Sequence, residues 1–353
     1  LGEDGKPEVA EPKTWRELMA AFEALRRVGI YGEVVNFHPD PAPIIWQLPY
    51  YRKQLYFDLI PTFDTYTPDD YPDAFEIAEA MLRGTMDLRN PSLAEPWRLL
   101  YEKSEYWMPG ASAMDIQQGF EAFASGRAAT LFWVSTDMSS FEEMCNFDLG
   151  VFPFPLLVDS PYYDGEYSEE FSLSAFECSV PLATRARGNL DAAVDFLRYF
   201  TSPEAQEILS REAVCLSPIR GVRAPEKLEP FLRRMNRRGT FLFYFDPYAL
   251  SIWHEPYWSD ARDKLWSELT NLLGSIPNYD YYRRLTGGTE TEYQEWRERR
   301  FDQFLEGLQK YFGFAYNRLV REYSLHTRRE LKRTQNRWIH LFRQRHAALP
   351  GDG

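Results

Sequence analysis

Aromatic side chains are the residues of this sequence best suited to binding chemistry. The chain of 353 residues holds 22 Tyr, 25 Phe and 10 Trp. Rings of this size usually fill hydrophobic cores. Their flat apolar faces also suit the C–H faces of sugar rings, so an aromatic-lined cleft is the functional alternative. Candidates for such contacts are Trp46, Tyr50 and Tyr51 in a Pro-rich segment, and Tyr162 and Tyr163 beside Asp164 in a loop.

Motifs of known catalytic and cofactor sites are missing from the sequence. It contains no G-x-S-x-G, H-E-x-x-H, Walker loop or G-x-G-x-x-G pattern. Acid/base catalysis needs carboxylates that face each other across a substrate, whereas the acidic pairs here are adjacent along the chain and predict solvated charge. The five His residues are scattered, and none forms an i, i+4 pair. We therefore expect a non-enzymatic protein with no catalytic residue, no metal site and no cofactor.

The three cysteines do not indicate a metal or redox motif. Cys145, Cys178 and Cys215 lack C-x-x-C spacing. A disulfide between Cys178 and Cys215 and buried free thiols both stay open at this point.

Charge argues against nucleic-acid binding. The formal net charge is −13, which disfavours contact with a phosphate backbone. From 315 to 346, however, the chain carries nine basic and two acidic side chains. Apolar residues in this tail recur at helical spacing opposite the Arg residues, which predicts an amphipathic helix. Such a helix either packs on the acidic body or contacts anionic lipid or a membrane protein.

Membrane-spanning and export signals are not seen. No stretch approaches the roughly 18 apolar residues that a spanning helix needs. The first residues, Leu1 to Gly5, show neither the basic nor the apolar region of a signal peptide.

The pattern along the chain predicts alternating helices and strands. Thr14 and Glu17 fit a capping box, followed by apolar residues at helical spacing up to Gly29. Ser202 and Pro203 suit the start of another helix. The remaining expected helices are 44–57, 71–82, 92–103, 114–124, 190–200, 290–312 and 315–347. The expected strands are 127–134, 147–152 and 175–182. Alternation from 114 to 211 indicates an α/β architecture, with three regions: 1–110, 111–240 and 241–353.

Four segments, taken in order, resemble the family 1 extracellular solute-binding proteins. Pro12–Leu18 with Gly29 resembles the family's P-x-T-W-x-E-L helix, and Gly119–Thr130 its F-x-x-G-K-A-A-M junction. Asp148–Pro153 resembles a strand of that family. Asn189–Leu209, followed by Leu216–Arg220, resembles its paired helices and the loop after them. The resemblance covers roughly residues 10–225. It departs from the family at the N-terminus, where members carry roughly a hundred further residues before the first of these helices.

The resemblance implies a periplasmic-binding-protein-like type II fold, with two lobes, many helices and an N-terminal lobe that is incomplete relative to the family. It also implies which residues face a ligand cleft. Trp133 stands at the end of a strand that points into this cleft in the family, and Phe176 and Glu177 lie where the family has a cleft aromatic and its neighbour. Arg220 follows the Ser-Pro loop and suits a carboxylate or hydroxyl ligand. Packing or surface ion pairs are the alternative roles of all four.

The function implied by the resemblance is capture of an extracytoplasmic solute, with a carbohydrate as the expected class. The partner would be the permease of an ABC importer, and the location periplasmic or anchored outside the membrane. Two alternatives are a solute-blind relative that acts as a sensor or scaffold, and a carbohydrate-active enzyme whose carboxylates are not recognised.

Overall fold

Two compact units make up the chain. The computed structural model describes residues 11–35, 47–63, 65, 74–163, 182–217, 219, 221–229, 267–273, 278–322, 327, 329 and 333. Unit 1 contains the described residues of Leu1–Val34, Gln117–Leu156 and Ser168–Arg238. Unit 2 contains those of Val35–Ile116, Leu157–Tyr167 and Gly239–Gly353. Each unit is assembled from three stretches of chain, so the division differs from the three consecutive regions predicted from the sequence.

Unit 1 is a small α/β assembly. Its described helices and strands are α1 (Trp15–Arg27), β1 (Tyr31–Val34), α6 (Ile116–Ala124, whose first residue belongs to unit 2), β2 (Ala128–Leu131), α7 (Met138–Met144), α8 (Leu182–Ala186), α9 (Leu190–Phe200) and α10 (Pro203–Glu212). Single 3₁₀ turns cover Ser135–Asp137 and Glu226–Leu228.

Helix α1 begins at the predicted capping box. The Thr14 side chain accepts a hydrogen bond from the Glu17 amide, and the Glu17 carboxylate accepts one from the Thr14 amide. The helix buries Trp15, Leu18 and Phe22 on one face. Gly29 follows its end with a φ of 82°, a left-handed conformation that glycine adopts without strain. The predicted helix is therefore confirmed.

The sheet of unit 1 has two described strands, β1 and β2, which run parallel. Tyr31 is in register with Ala128, and Glu33 with Thr130. Helix α1 lies directly against β1, because Gly32 presents no side chain to the buried Phe22 ring. A Cβ at position 32 would lie 2.5 Å from the Phe22 Cγ. Strand β1 was not among the predicted strands, whereas β2 is the predicted 127–134 strand in shorter form.

The helix pair α9–α10 has the predicted bounds to within a residue. Ser202 caps α10, since its Oγ accepts a hydrogen bond from the Ala205 amide at 3.3 Å. Asn189 precedes α9, but its side chain makes no capping hydrogen bond. After α10, Val214 adopts a φ of 46°. A β-branched residue in this region is strained, and burial of Val214 with Met138 and Leu228 offsets that cost.

Unit 2 consists of helices in the part that the structure describes. Its α-helices are α2 (Leu48–Leu55), α3 (Ile60–Phe63), α4 (Ala74–Leu82), α5 (Pro91–Lys103), α11 (Tyr279–Thr286) and α12 (Glu290–Glu322), with residues 267–273 also helical. Its 3₁₀ turns are Phe57–Leu59, Ser104–Tyr106 and Ala111–Ala113. Helix α12 packs against α4 and α5, and α2 packs against α5.

A buried arginine joins α12 to the end of α5. Arg297 is 5% exposed, and its guanidinium donates hydrogen bonds to the Tyr101 carbonyl and to the Tyr293 hydroxyl. Its Nε lies 3.1 Å from a Glu105 carboxylate oxygen. The same guanidinium lies 3.8 Å from the centre of the Tyr101 ring. Burial raises the pKa of Tyr293 to about 12, so this phenol stays neutral and hydrogen-bonded at ordinary pH.

Two predicted elements are wrong. Residues 147–152 form no strand; Phe147 packs against Phe123, and it is Leu156 that bridges to Thr14. The nearby Pro153 and Pro155 have no amide hydrogen for a strand ladder, which is one reason that pairing fails here. The predicted break near residue 313 is also absent, since α12 runs without interruption to Glu322. The predicted strand 175–182 lies outside the described residues, except for Leu182, which begins α8.

We expect Gly32→Ala to destabilise unit 1 by about 1–3 kcal/mol, because overpacking against a buried ring forces the backbone or the ring to move. Urea unfolding of the purified chain measures the change. Gly150→Ala is the matched control, since a Cβ there meets nothing within 4 Å. Equal stability of the two variants would contradict the close α1–β1 approach.

We expect Arg297→Met to lower the free energy of unfolding by about 3 kcal/mol, because it leaves the Glu105 carboxylate without its cation. Arg299→Met removes an exposed arginine two residues away, which lies 3.8 Å from Glu295, and should cost less than about 1 kcal/mol. Thermal or urea unfolding distinguishes the two. A small effect of Arg297→Met would show that α12 does not depend on this guanidinium.

Candidate functional site

Trp133 lies two residues beyond the end of β2 and two residues before the 3₁₀ turn Ser135–Asp137. The indole is half-buried, and its Nε1 donates a hydrogen bond to the Asp137 carboxylate at 2.5 Å. Hydrogen bonds to a charged acceptor are short and strong. Strand β2 and the turn Ser135–Asp137 therefore fix both the position of Trp133 and the direction in which its N–H points.

Trp133 is the first of a series of aromatic rings that contact one another in unit 1. Phe120 of α6 meets the indole edge to face, with ring centres 5.1 Å apart. Phe120 in turn meets Phe141 of α7 at 4.7 Å, and Phe123 meets both Phe141 and Phe147. Edge-to-face contacts at these distances are favourable. The Trp133 indole therefore packs on an aromatic cluster to which α6 and α7 both contribute.

This arrangement suits stacking on an apolar ring face. A partly exposed indole, already held by a carboxylate and a phenyl ring, loses little rotamer entropy when a ligand packs on it. Neither Asp137 nor Phe120 was predicted as part of the site. Trp133 and Asp137 are not a helical i, i+4 pair, because Val134 between them is extended, so no sequence pattern signalled this contact.

The loop that leads to Arg220 is anchored to α10. Ser217 Oγ donates a hydrogen bond to the Gln206 side-chain oxygen at 2.9 Å and accepts one from the Ile219 amide at 3.1 Å. Gln206 is itself 5% exposed and donates to the Phe200 carbonyl. The Ser-Pro loop is thus held in place on its N-terminal side. Arg220 lies outside the described residues.

Of the other predicted contacts, four are described in unit 2 and three lie outside the described residues. Tyr50 and Tyr51 lie on α2 in unit 2; Tyr50 is half-buried, whereas Tyr51 is fully buried, which favours packing over ligand contact at that position. Tyr162 and Tyr163 are half-buried in the loop after Leu157, also in unit 2. Trp46, Phe176 and Glu177 lie outside the described residues.

Other kinds of site find no support in the described part of the chain. It contains no group of three or more His, Cys, Asp or Glu side chains that could hold a metal ion. Among its helices, none is both long enough and apolar enough to cross a membrane. Cys145 and Cys215 carry free thiols, and burial raises the pKa of both. Cys178 lies outside the described residues. The basic tail is described only to Glu322 and at three exposed positions beyond it.

Comparison with known proteins shows the fold. No protein-family model matches the sequence, and no curated protein sequence matches it. Among nine similar solved chains is a chitin oligosaccharide binding protein, with 15% identity and a TM-score of 0.54 over 87% of this chain and 66% of that one. Another is the SBP RafE in complex with raffinose, with 14% identity and a TM-score of 0.48 over 87% of this chain and 67% of that one. This chain thus spans about two thirds of their length. The likeness to the first of these chains confirms the predicted helix-rich α/β fold.

Proposed function

We propose that the chain captures a carbohydrate outside the cytoplasm and hands it to the permease of an ABC importer without covalent chemistry. The observation that carries the proposal is the oriented indole of Trp133. The indole is partly exposed, and Asp137 and Phe120 hold it at a defined angle. Sugar rings have an apolar C–H face and a hydroxylated rim, so a fixed aromatic ring selects them over ligands without such a face.

The fold adds to this argument. Its structural neighbour of higher TM-score, named above, binds a chitin oligosaccharide according to its name. Fold alone does not assign function, so the proposal depends on the side chains at Trp133. Delivery to a permease and the extracytoplasmic location follow from the sequence resemblance and belong to the same proposal.

We expect at least one neutral oligosaccharide to raise the melting temperature of the chain. A ligand that binds only the folded state stabilises it by about 2.7 kcal/mol at a hundred times its dissociation constant. The screen uses tetramers of N-acetylglucosamine, glucose and galactose, with amino acids as a contrasting class. Trp133→Ala should raise the Kd of the binding sugar at least tenfold, because losing the packing of one aromatic side chain costs roughly 1.5–3 kcal/mol.

Titration calorimetry measures the affinities, and Trp296→Ala is the matched control. Trp296 is a half-buried indole of unit 2 that packs on Tyr293 and should not change the Kd. Asp137→Asn keeps the shape of the acceptor but removes its charge, and should weaken binding less than Trp133→Ala does. A folded chain that binds no sugar would favour the solute-blind alternative, and release of shortened sugar would favour the enzyme.

A further inference from the structure

Asp137 lies at the residue before α7, where an aspartate usually caps the helix. An Asp side chain at this position normally accepts a hydrogen bond from an amide of the first helical turn, which stabilises the helix. The Asp137 side chain makes no such bond. Its Oδ2 instead accepts the hydrogen bond from Trp133 Nε1. The carboxylate is therefore directed to the indole, and α7 goes without the stabilisation that this cap would give.

The backbone on both sides of this carboxylate is held in place. The Asp137 amide donates a hydrogen bond to the Val134 carbonyl at 3.3 Å, and the Met138 amide donates one to the Ser135 carbonyl. The Met138 side chain is buried in a hydrophobic cluster of unit 1. The turn that carries Asp137 is thus anchored, so its side chain extends from a fixed point beside Trp133.

The second carboxylate oxygen of Asp137, Oδ1, is open to solvent. Within the described residues, the Asp137 side chain bonds to the indole, and it does so through Oδ2. The residue is half-buried, and Oδ1 is not among the buried side-chain atoms that lack a hydrogen bond. A carboxylate oxygen accepts hydrogen bonds and donates none. Oδ1 is therefore an acceptor beside a partly exposed indole, and its donor comes from water or from a ligand.

We propose that Asp137 has two roles, in which Oδ2 positions the Trp133 indole and Oδ1 accepts a hydrogen bond from a hydroxyl group of the sugar that packs on this indole. The inference rests on the proposed function and adds a polar contact to the aromatic one. Both contacts lie within unit 1.

The carboxylate favours neutral sugars over anionic ones. A pyranose carries hydroxyl groups around its apolar C–H face, so a sugar ring that packs on the indole brings hydroxyl donors towards Asp137. Hydrogen bonds to a charged acceptor are stronger than those between neutral groups. An anionic sugar would bring its own carboxylate towards Asp137, and like charges placed together lower affinity. The net charge of −13 on the whole chain acts in the same direction.

A double-mutant cycle separates the two roles of Asp137. Trp133→Phe keeps an aromatic ring but has no N–H that could donate to the carboxylate. If Asp137 acted only through that N–H, removing it from the Trp133→Phe chain would leave the Kd unchanged. We expect instead that Asp137→Ala, added to Trp133→Phe, raises the Kd of the sugar about tenfold or more, because a hydrogen bond to a charged acceptor is lost.

Asp137→Asn provides the conservative variant. It keeps an oxygen acceptor of the same size without the charge, and in the Trp133→Phe chain it should raise the Kd only about threefold, because a neutral acceptor is weaker. In the otherwise wild-type chain it should also improve the binding of an anionic sugar relative to a neutral one about threefold or more, since a like charge is removed. Mere positioning of the indole would not change this ratio.

Calorimetric titration of the full chain measures these affinities. The ligands are the neutral tetramers of N-acetylglucosamine, glucose and galactose, with tetragalacturonic acid as the anionic sugar. Asp195→Ala is the matched control, because Asp195 is a 71% exposed aspartate of unit 1 that pairs with Arg198 at 3.1 Å. Its Kd should change less than about twofold. The melting temperature shows whether each variant is folded, and Asp137→Asn replaces Asp137→Ala in the cycle if the latter unfolds.

Two outcomes overturn the contact at Oδ1 while sugar capture stands. The first is an unchanged Kd when Asp137 is replaced in the Trp133→Phe chain or, where that chain binds too weakly to titrate, an unchanged ratio of anionic to neutral affinity in Asp137→Asn. The second is tighter binding of tetragalacturonic acid than of every neutral tetramer. If the wild-type chain binds none of the four ligands, the proposed function falls and this inference falls with it.

Discussion

The organisation of unit 2 depends on one buried cation. Arg297 reaches from α12 to the carbonyl of Tyr101 and the carboxylate of Glu105, which lie nearly two hundred residues earlier in the chain. A guanidinium removed from water is costly unless every side of it is paired. Here carbonyl, carboxylate, hydroxyl and aromatic face supply those partners, so the ion fixes the register of α12 against α5. Phe301, one turn further along α12, stacks on Tyr101, and Phe304, two turns further, meets Trp97 edge to face.

Local sequence signals predicted the elements that local interactions determine. The capping box at Thr14 and the Ser202–Pro203 start of α10 depend on residues within one turn, and both were predicted correctly. The prediction of the fold type itself came from the resemblance of four motifs, taken in order. Strand β1 was missed because Gly32 and a buried Glu33 depart from the apolar pattern of a core strand; glycine is there for the approach of Phe22, which no local pattern reveals. The predicted break between residues 312 and 315 was wrong because an internal glycine lowers helix stability by only about 1 kcal/mol, which a helix as long as α12 tolerates.

Candidate site residues were harder to predict than elements. Sequence patterns single out aromatic rings but do not distinguish Tyr51, which is fully buried, from Trp133, which is partly exposed and oriented. The distinction depends on burial and on partners such as Asp137 and Phe120, which no sequence motif marks. Acidic residues were judged from their adjacency along the chain, a criterion that passes over Asp137, whose partner is the indole of Trp133.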